Sequence, residues 1–116
     1  MKFQERPDCY LDIKTGLEWS KENFGPMSWD EAMKQFDDSD GWRLPTIDEL
    51  LTLVDHDGYK PATELPGMVS SYYWSSTTHA DYTNYAWLVY FSNGYDNHDY
   101  KFFHYYVRAV RGGKEK

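Results

Sequence analysis

The sequence predicts an α+β domain in which two short amphipathic helices precede a series of strands and pack on short antiparallel β-sheets. Three observations carry that expectation. Helix-start signals at Ser28 and Thr46 each lead into apolar residues at helical spacing, the pattern turns to aromatic and β-branched runs after Gly58, and a hairpin-like stretch lies near the N-terminal end. At 116 residues with 41% hydrophobic side chains, one domain spanning 1–116 can build its own core.

Taken in order, Tyr10 and Leu11 lead to Lys14-Thr15-Gly16, a tight turn, after which Leu17 and Trp19 alternate as in a strand. Ser28-Trp29-Asp30-Glu31 is a capping box, and Trp29, Ala32, Met33 and Phe36 follow at the spacing of one helical face. That helix is expected to fade into a polar loop holding Asp37, Asp38 and Asp40 and ending at Gly41. Thr46-Ile47-Asp48-Glu49 is a second capping box, with Ile47, Leu50, Leu51 and Val54 forming its apolar face. Pro45 biases Leu44 away from helix, so Trp42-Arg43-Leu44 is expected to be an extended entry segment. With acids abundant nearby, Arg43 is expected in an internal ion pair rather than on a ligand carboxylate.

Pro61 and Pro66 punctuate a connecting loop, and "SYYWSS" then reads as an aromatic strand. "YAWLVYF" predicts a buried strand, Ser92-Asn93-Gly94-Tyr95 a hairpin turn of the Asn-Gly type, and "YYVRAVR" one last strand. Trp19, Trp29, Trp42, Trp74 and Trp87 all fall inside predicted elements and are expected in the core.

A formal net charge of −7 argues against attraction to phosphate backbones or anionic membranes, so neither nucleic acid nor membrane insertion is expected. No apolar run approaches the roughly 20 residues of a membrane span, and "MKFQERPDC" lacks the apolar region of a secretory signal. The basic residues Lys101, Arg108, Arg111, Lys114 and Lys116 read as a solvated tail, with a local cationic patch as the alternative. Cys9 is the single cysteine, which excludes an intrachain disulfide and any CxxC pair.

Signals for catalysis are weak. His56, His79, His98 and His104 lack metal-site spacing, Ser75 and Ser76 are not in a nucleophile elbow, and Cys9 has no evident base. Asp37 to Asp40, with Asp55 and Asp57, read as a solvated acidic rim; a calcium ion is the alternative, although the spacing is not that of an EF-hand. The expectation is therefore a noncatalytic protein without a cofactor.

Residues 72–106 hold nine of the eleven tyrosines, interspersed with Asn, Asp and His. Tyrosine offers broad amphipathic contact at low entropic cost and the polar neighbours supply adaptable hydrogen bonds, the mixture used in recognition loops. Tyr82, Asn84, Tyr85, Tyr95, Asn97, His98, Asp99 and Tyr100 are the candidate contacts, displayed on loops within residues 78–105. Their chemistry suits a glycan or a protein surface. Two alternatives stand beside this: tyrosine as an ordinary strand residue on half-exposed faces, and a Tyr-rich face buried in a homo-oligomer.

The segments "TGLEWS", "SWDEAM", "WRLPTIDELLTLVD", "YYWSST", "AWLVYFSNG" and "YYVRAVRGG", in that order over residues 12–113, resemble the bacterial Lcl C-terminal domain family. The resemblance implies a C-type-lectin-like fold, similar also to the formylglycine-generating-enzyme scaffold and to variable proteins diversified by retroelements. It further implies an extracellular, cell-surface or periplasmic location and a ligand-binding or adhesive role, including binding of sulfated polysaccharides by a collagen-like adhesin. Many relatives carry cysteines near the end of the first helix and in the last strand, where this chain has Phe36-Asp37 and Val107-Arg108-Ala109. Oxidase chemistry of the formylglycine-generating kind needs a late cysteine pair, which Cys9 alone does not provide. Retroelement diversification, which mutates asparagine codons toward Tyr, Asp and His, is a further alternative origin for the tract.

Overall fold

A computed structural model describes residues 2–112, and its architecture is α+β, dominated by two sheets. β1 (Phe3–Glu5), β2 (Tyr10–Asp12) and β3 (Leu17–Trp19) form an antiparallel meander, and β9 (Val110–Gly112) pairs with β3 to complete a four-stranded sheet. The expected hairpin is its middle, with Tyr10 opposite Trp19 and Leu11 opposite Glu18. Its turn is tied by Asp12, whose Oδ1 accepts from the backbone N–H of Lys14 at 2.9 Å and of Thr15 at 3.3 Å.

The second sheet contains β4 (Phe24–Met27), β5 (Tyr72–Thr78), β6 (Tyr85–Tyr90), β7 (Tyr95–Tyr100) and β8 (Tyr105–Val107), in the order β4-β8-β5-β6-β7. Wholly antiparallel sheets were expected, but β5 and β8 run parallel through Tyr73 and Tyr106. A parallel pair needs a crossover, and the β6–β7 hairpin supplies it. β4 had no sequence signal of its own; its Pro26 is tolerated because the strand lies at a sheet edge.

Both capping boxes form as the sequence predicts. α1 (Trp29–Gln35) starts with Ser28 Oγ accepting from Glu31 N–H at 3.3 Å, and Glu31 Oε1 accepting from Ser28 N–H at 2.9 Å. α2 (Ile47–Leu51) repeats the exchange between Thr46 and Glu49 at 3.2 and 3.0 Å. Helices this short are not stable alone and depend on caps and packing.

The register explains the packing. Tyr73 opposes Val89 and Trp74 opposes Leu88, so successive residues of β5 and β6 enter cores on opposite faces of the sheet. On one face Tyr73, Val89 and Phe91 join Leu50 and Leu53 from the α2 region with Leu17, Trp19 and Val110 of the smaller sheet. On the other, Trp74, Ala86, Leu88 and Val107 pack against Ala32 and Phe36 of α1 and its end.

Two local expectations are corrected. The Asn-Gly turn is a four-residue loop, residues 91–94, since Tyr90 pairs with Tyr95, and only Gly94 takes a positive φ, +85°. A Cβ at Gly94 would lie 2.7 Å from Val54 Cγ1, so both space and conformation demand glycine. Residues 105–111 are not one strand: the chain breaks at Arg108-Ala109, sending β8 into one sheet and β9 into the other. At the break Arg108 is wholly buried, and its guanidinium donates to the carbonyls of Ser20 and Pro66. Among the described residues, no helix is long and apolar enough to cross a membrane.

Candidate functional site

β6 buries Ala86, Leu88 and Val89 but leaves Tyr85 and Trp87 half-exposed. β7 pairs with it so that Tyr100 faces Tyr85 and His98 faces Trp87, which places four ring-bearing side chains on one face. The loop 79–84 closes onto them because His79 N–H donates to Tyr85 carbonyl at 2.9 Å. His79 then stacks on Trp87 with centroids 5.2 Å apart and meets His98 at 4.9 Å, while Tyr85 meets Tyr82 at 5.8 Å, His98 at 5.2 Å and Tyr100 edge-on at 4.4 Å. Tyr100 stacks on Phe102 at 5.2 Å, and Phe102 touches Phe103 at 4.8 Å. The result is a continuous aromatic ridge running from Trp87 to Phe103. Tyr82 is 60% and Phe102 66% exposed, and β7 is the end strand of its sheet.

Of the eight candidate contacts, Tyr82, Tyr85, His98 and Tyr100 meet in this ridge. Asn84 stands beside it, bordering a groove of about 400 Å³ with Ser28, Asp30, Lys101 and Phe102. Tyr95, Asn97 and Asp99 go elsewhere, since their register partners Tyr90, Leu88 and Ala86 lie on the opposite face. Asn97 Oδ1 accepts from His98 N–H and Asp99 Oδ1 from Tyr100 N–H, each at 2.8 Å, and Asp99 Oδ2 accepts from Tyr105 hydroxyl at 2.5 Å. The N–H groups they occupy would otherwise point unpaired from the sheet edge, so these residues blunt it against strand addition. Contacts were expected on loops; Tyr95, Asn97, His98, Asp99 and Tyr100 are on strand β7 instead. Burial first, and then the Asp99 carboxylate, hold the Tyr105 phenol well above its ordinary range, and Tyr100 pushes the Tyr85 phenol up.

His79, Trp87, Phe102 and Phe103 were not among the candidates. Trp87 carried a signal, since two residues after Tyr85 on a strand means the same face. Phe102-Phe103 carried another, as adjacent phenylalanines between the polar Lys101 and His104. The core assignment holds for Trp19 and Trp74, but Trp29, Trp42 and Trp87 are half-buried. Trp29 and Trp42 pack against the α1-side core from its margin, and a cation covers each from outside: Lys101 Nζ lies 4.0 Å from the Trp29 ring and the Arg111 guanidinium 4.3 Å from the Trp42 ring.

Neither a solvated basic end nor a cationic face forms from the described basic residues. Lys101 is held by Trp29 and by Thr78 Oγ1 at 3.1 Å, Arg108 is buried, and Arg111 is shared between Asp8 at 2.7 Å and Glu18 at 2.6 Å. Lys114 and Lys116 lie outside the described residues. Among the described residues no three of His, Cys, Asp and Glu converge as metal ligands.

Arg43 forms its expected internal ion pair, bidentate to Glu49 at 2.6 and 2.9 Å. Burial raises the Glu49 carboxyl, but the Arg43 hydrogen bond and the Thr46 N–H outweigh it, leaving the group below its ordinary range. A lowered carboxylate stabilises the fold above its unfolded value and loses that contribution as pH falls through the folded one. Glu49→Gln keeps the capping geometry and removes the charge. Urea unfolding is expected to show a deficit of about 1 kcal/mol at pH 7 that shrinks progressively below about pH 4.

The family described as "Lcl C-terminal domain" matches residues 8–111 of the chain. No curated protein and no solved structure matches it.

Proposed function

The chain belongs to the Lcl C-terminal domain family, and from that premise we propose that it is a noncatalytic recognition module that binds a carbohydrate or protein surface through the aromatic ridge. The observation that carries this is the unbroken run of rings in stacked and edge-on contact, Trp87, His79, His98, Tyr85, Tyr100 and Phe102, over one face of the β6–β7 pair at the end of the sheet. Ring faces accept the C–H faces of sugars or the apolar anchors of a protein, and the adjoining Asn84 and Asp30 supply an amide and a carboxylate for hydroxyls or N–H groups. Binding needs no metal in this reading. The two helices packed against short sheets support a C-type-lectin-like version of the α+β fold, and an exported or surface-exposed location accompanies the proposal.

A glycan and protein array tests it, with wild type beside Tyr85→Ala/Tyr100→Ala. Losing two contact rings is expected to weaken binding by about 2 kcal/mol, roughly 30-fold. Equal binding by the double variant overturns the assignment of the ridge. A second reading, a homo-oligomer that buries the ridge, is favoured by the adjacency of exposed Phe102 and Phe103, an apolar patch of the kind that marks interfaces.

A further inference from the structure

We propose that His79 is an acid-sensitive latch on the loop that carries Tyr82 and Asn84, so that the ridge is complete near neutral pH and loses that loop on acidification. Its importance for recognition rests on the reading above; the latch itself does not.

The geometry is specific. His79 follows β5, and its Nδ1 accepts from the backbone N–H of Asp81 at 3.1 Å and of Tyr82 at 3.3 Å. An aspartate or asparagine oxygen commonly fills this capping role in turns, and those oxygens do not become donors near neutral pH. An imidazole nitrogen does, because imidazoles titrate between about pH 5 and 8. The latch therefore requires the neutral tautomer with its proton on Nε2. Once Nδ1 is protonated it is a donor facing two donors, and both bonds are lost together. Stacking on Trp87 at 5.2 Å and 15° keeps the ring in place, so turning away would forfeit that contact.

The remaining support for residues 80–84 is slight. Tyr85 N–H donates to Tyr82 carbonyl at 2.9 Å, and Lys101 N–H to Asn84 carbonyl at 3.0 Å, while residues 80–84 are all exposed. Few buried contacts and few bonds are the marks of a segment that opens locally at small free energy.

The groups that face the imidazole come from each neighbouring element. Asp81 and Tyr82 are on its own loop, Tyr85 on β6 and His98 on β7 at 4.9 Å. Lys101 Nζ is bound to the adjacent Thr78 at 3.1 Å. Among the described residues no carboxylate lies within ion-pair distance of a histidine. A charge on His98 works in the same direction, since two imidazolium rings at this distance repel.

The test is an NMR titration of the full chain without ligand, from pH 8 to pH 5, following the His79 ring protons with the Asp81 and Tyr82 amide signals and their heteronuclear NOEs. The expected result is that both amides shift and lose NOE with the His79 midpoint. His79→Asn, which keeps a non-titrating acceptor, is expected to hold the loop ordered at pH 5, and His98→Asn to leave the transition in place. Amides that stay put while His79 titrates overturn the latch, as does a transition that survives in His79→Asn. A loop that opens on acidification in a protein found to bind no glycan or protein would leave the latch standing and remove the recognition reading instead.

Discussion

Arg108→Leu is expected to remove about 3 to 5 kcal/mol of stability, a large share of the roughly 5–15 kcal/mol typical of native domains. The Arg108 side chain is fully buried without a carboxylate partner among the described residues. Its Nε donates to Ser20 carbonyl at 2.7 Å, and its Nη2 to Pro66 carbonyl at 2.9 Å and Lys21 carbonyl at 3.3 Å. Nη1 reaches Asn23 Oδ1 at 3.3 Å, and the same oxygen accepts from the Tyr73 hydroxyl at 2.7 Å. One planar fork of five donors therefore joins the β3–β4 connection, the loop before β5 and the break between β8 and β9. Leucine fills part of the volume but leaves those acceptors dry and unpaired. Lysine keeps the charge yet cannot span the fork, so Arg108→Lys should recover only part of the loss. Burial pushes the Arg108 guanidinium down from its usual value, but that value starts so high that the group stays charged at neutral pH. Urea unfolding measures the effect; a loss below about 1 kcal/mol in Arg108→Leu would mean that the carbonyl cage is reachable by water.

Trp74→Ala should cost a similar 3 to 5 kcal/mol, for a different reason. Trp74 is among the largest fully buried side chains and fills the core between β5 and α1, edge-on to Tyr105 at 5.1 Å. Its Nε1 also donates to Met27 carbonyl at 3.1 Å, tying the entry of α1 to the sheet. Truncation leaves both a cavity and an orphaned carbonyl, whereas Trp74→Phe restores most of the volume and should recover much of the loss. Trp87→Ala, on the ridge, is expected to cost less than about 1.5 kcal/mol while weakening ligand binding. Reversed rankings for Trp74 and Trp87 in urea would contradict the division between core and ridge.

What the sequence made legible was local. Ser28 and Thr46 announce their helices because a capping box is written within four residues, and Arg43 finds Glu49 because acids crowd its neighbourhood. The strands "SYYWSS" and "YAWLVYF" show because apolar and aromatic residues dominate them. "YDNHDY" hides β7, since an edge strand exposed on both faces has no alternation to display; its register with β6 makes it a strand. Nor could "YYVRAVR" reveal its break, because the partners of Arg108 come from residues 20–23 and 66, more than forty positions away. The tyrosine-rich tract was visible in composition alone. Which of its members share a face depends on pairing, which is why Tyr85, His98 and Tyr100 stayed together while Asn97 and Asp99 turned out to guard the edge.

Whether the ridge is free to meet a ligand is decided by sedimentation velocity on the full chain. A recognition surface predicts a single 13.8 kDa species whose mass Tyr85→Ala/Tyr100→Ala does not change. A dimer or higher oligomer that the double variant dissociates would show that the ridge is already covered by another copy of the chain, and recognition would have to be sought on a different face.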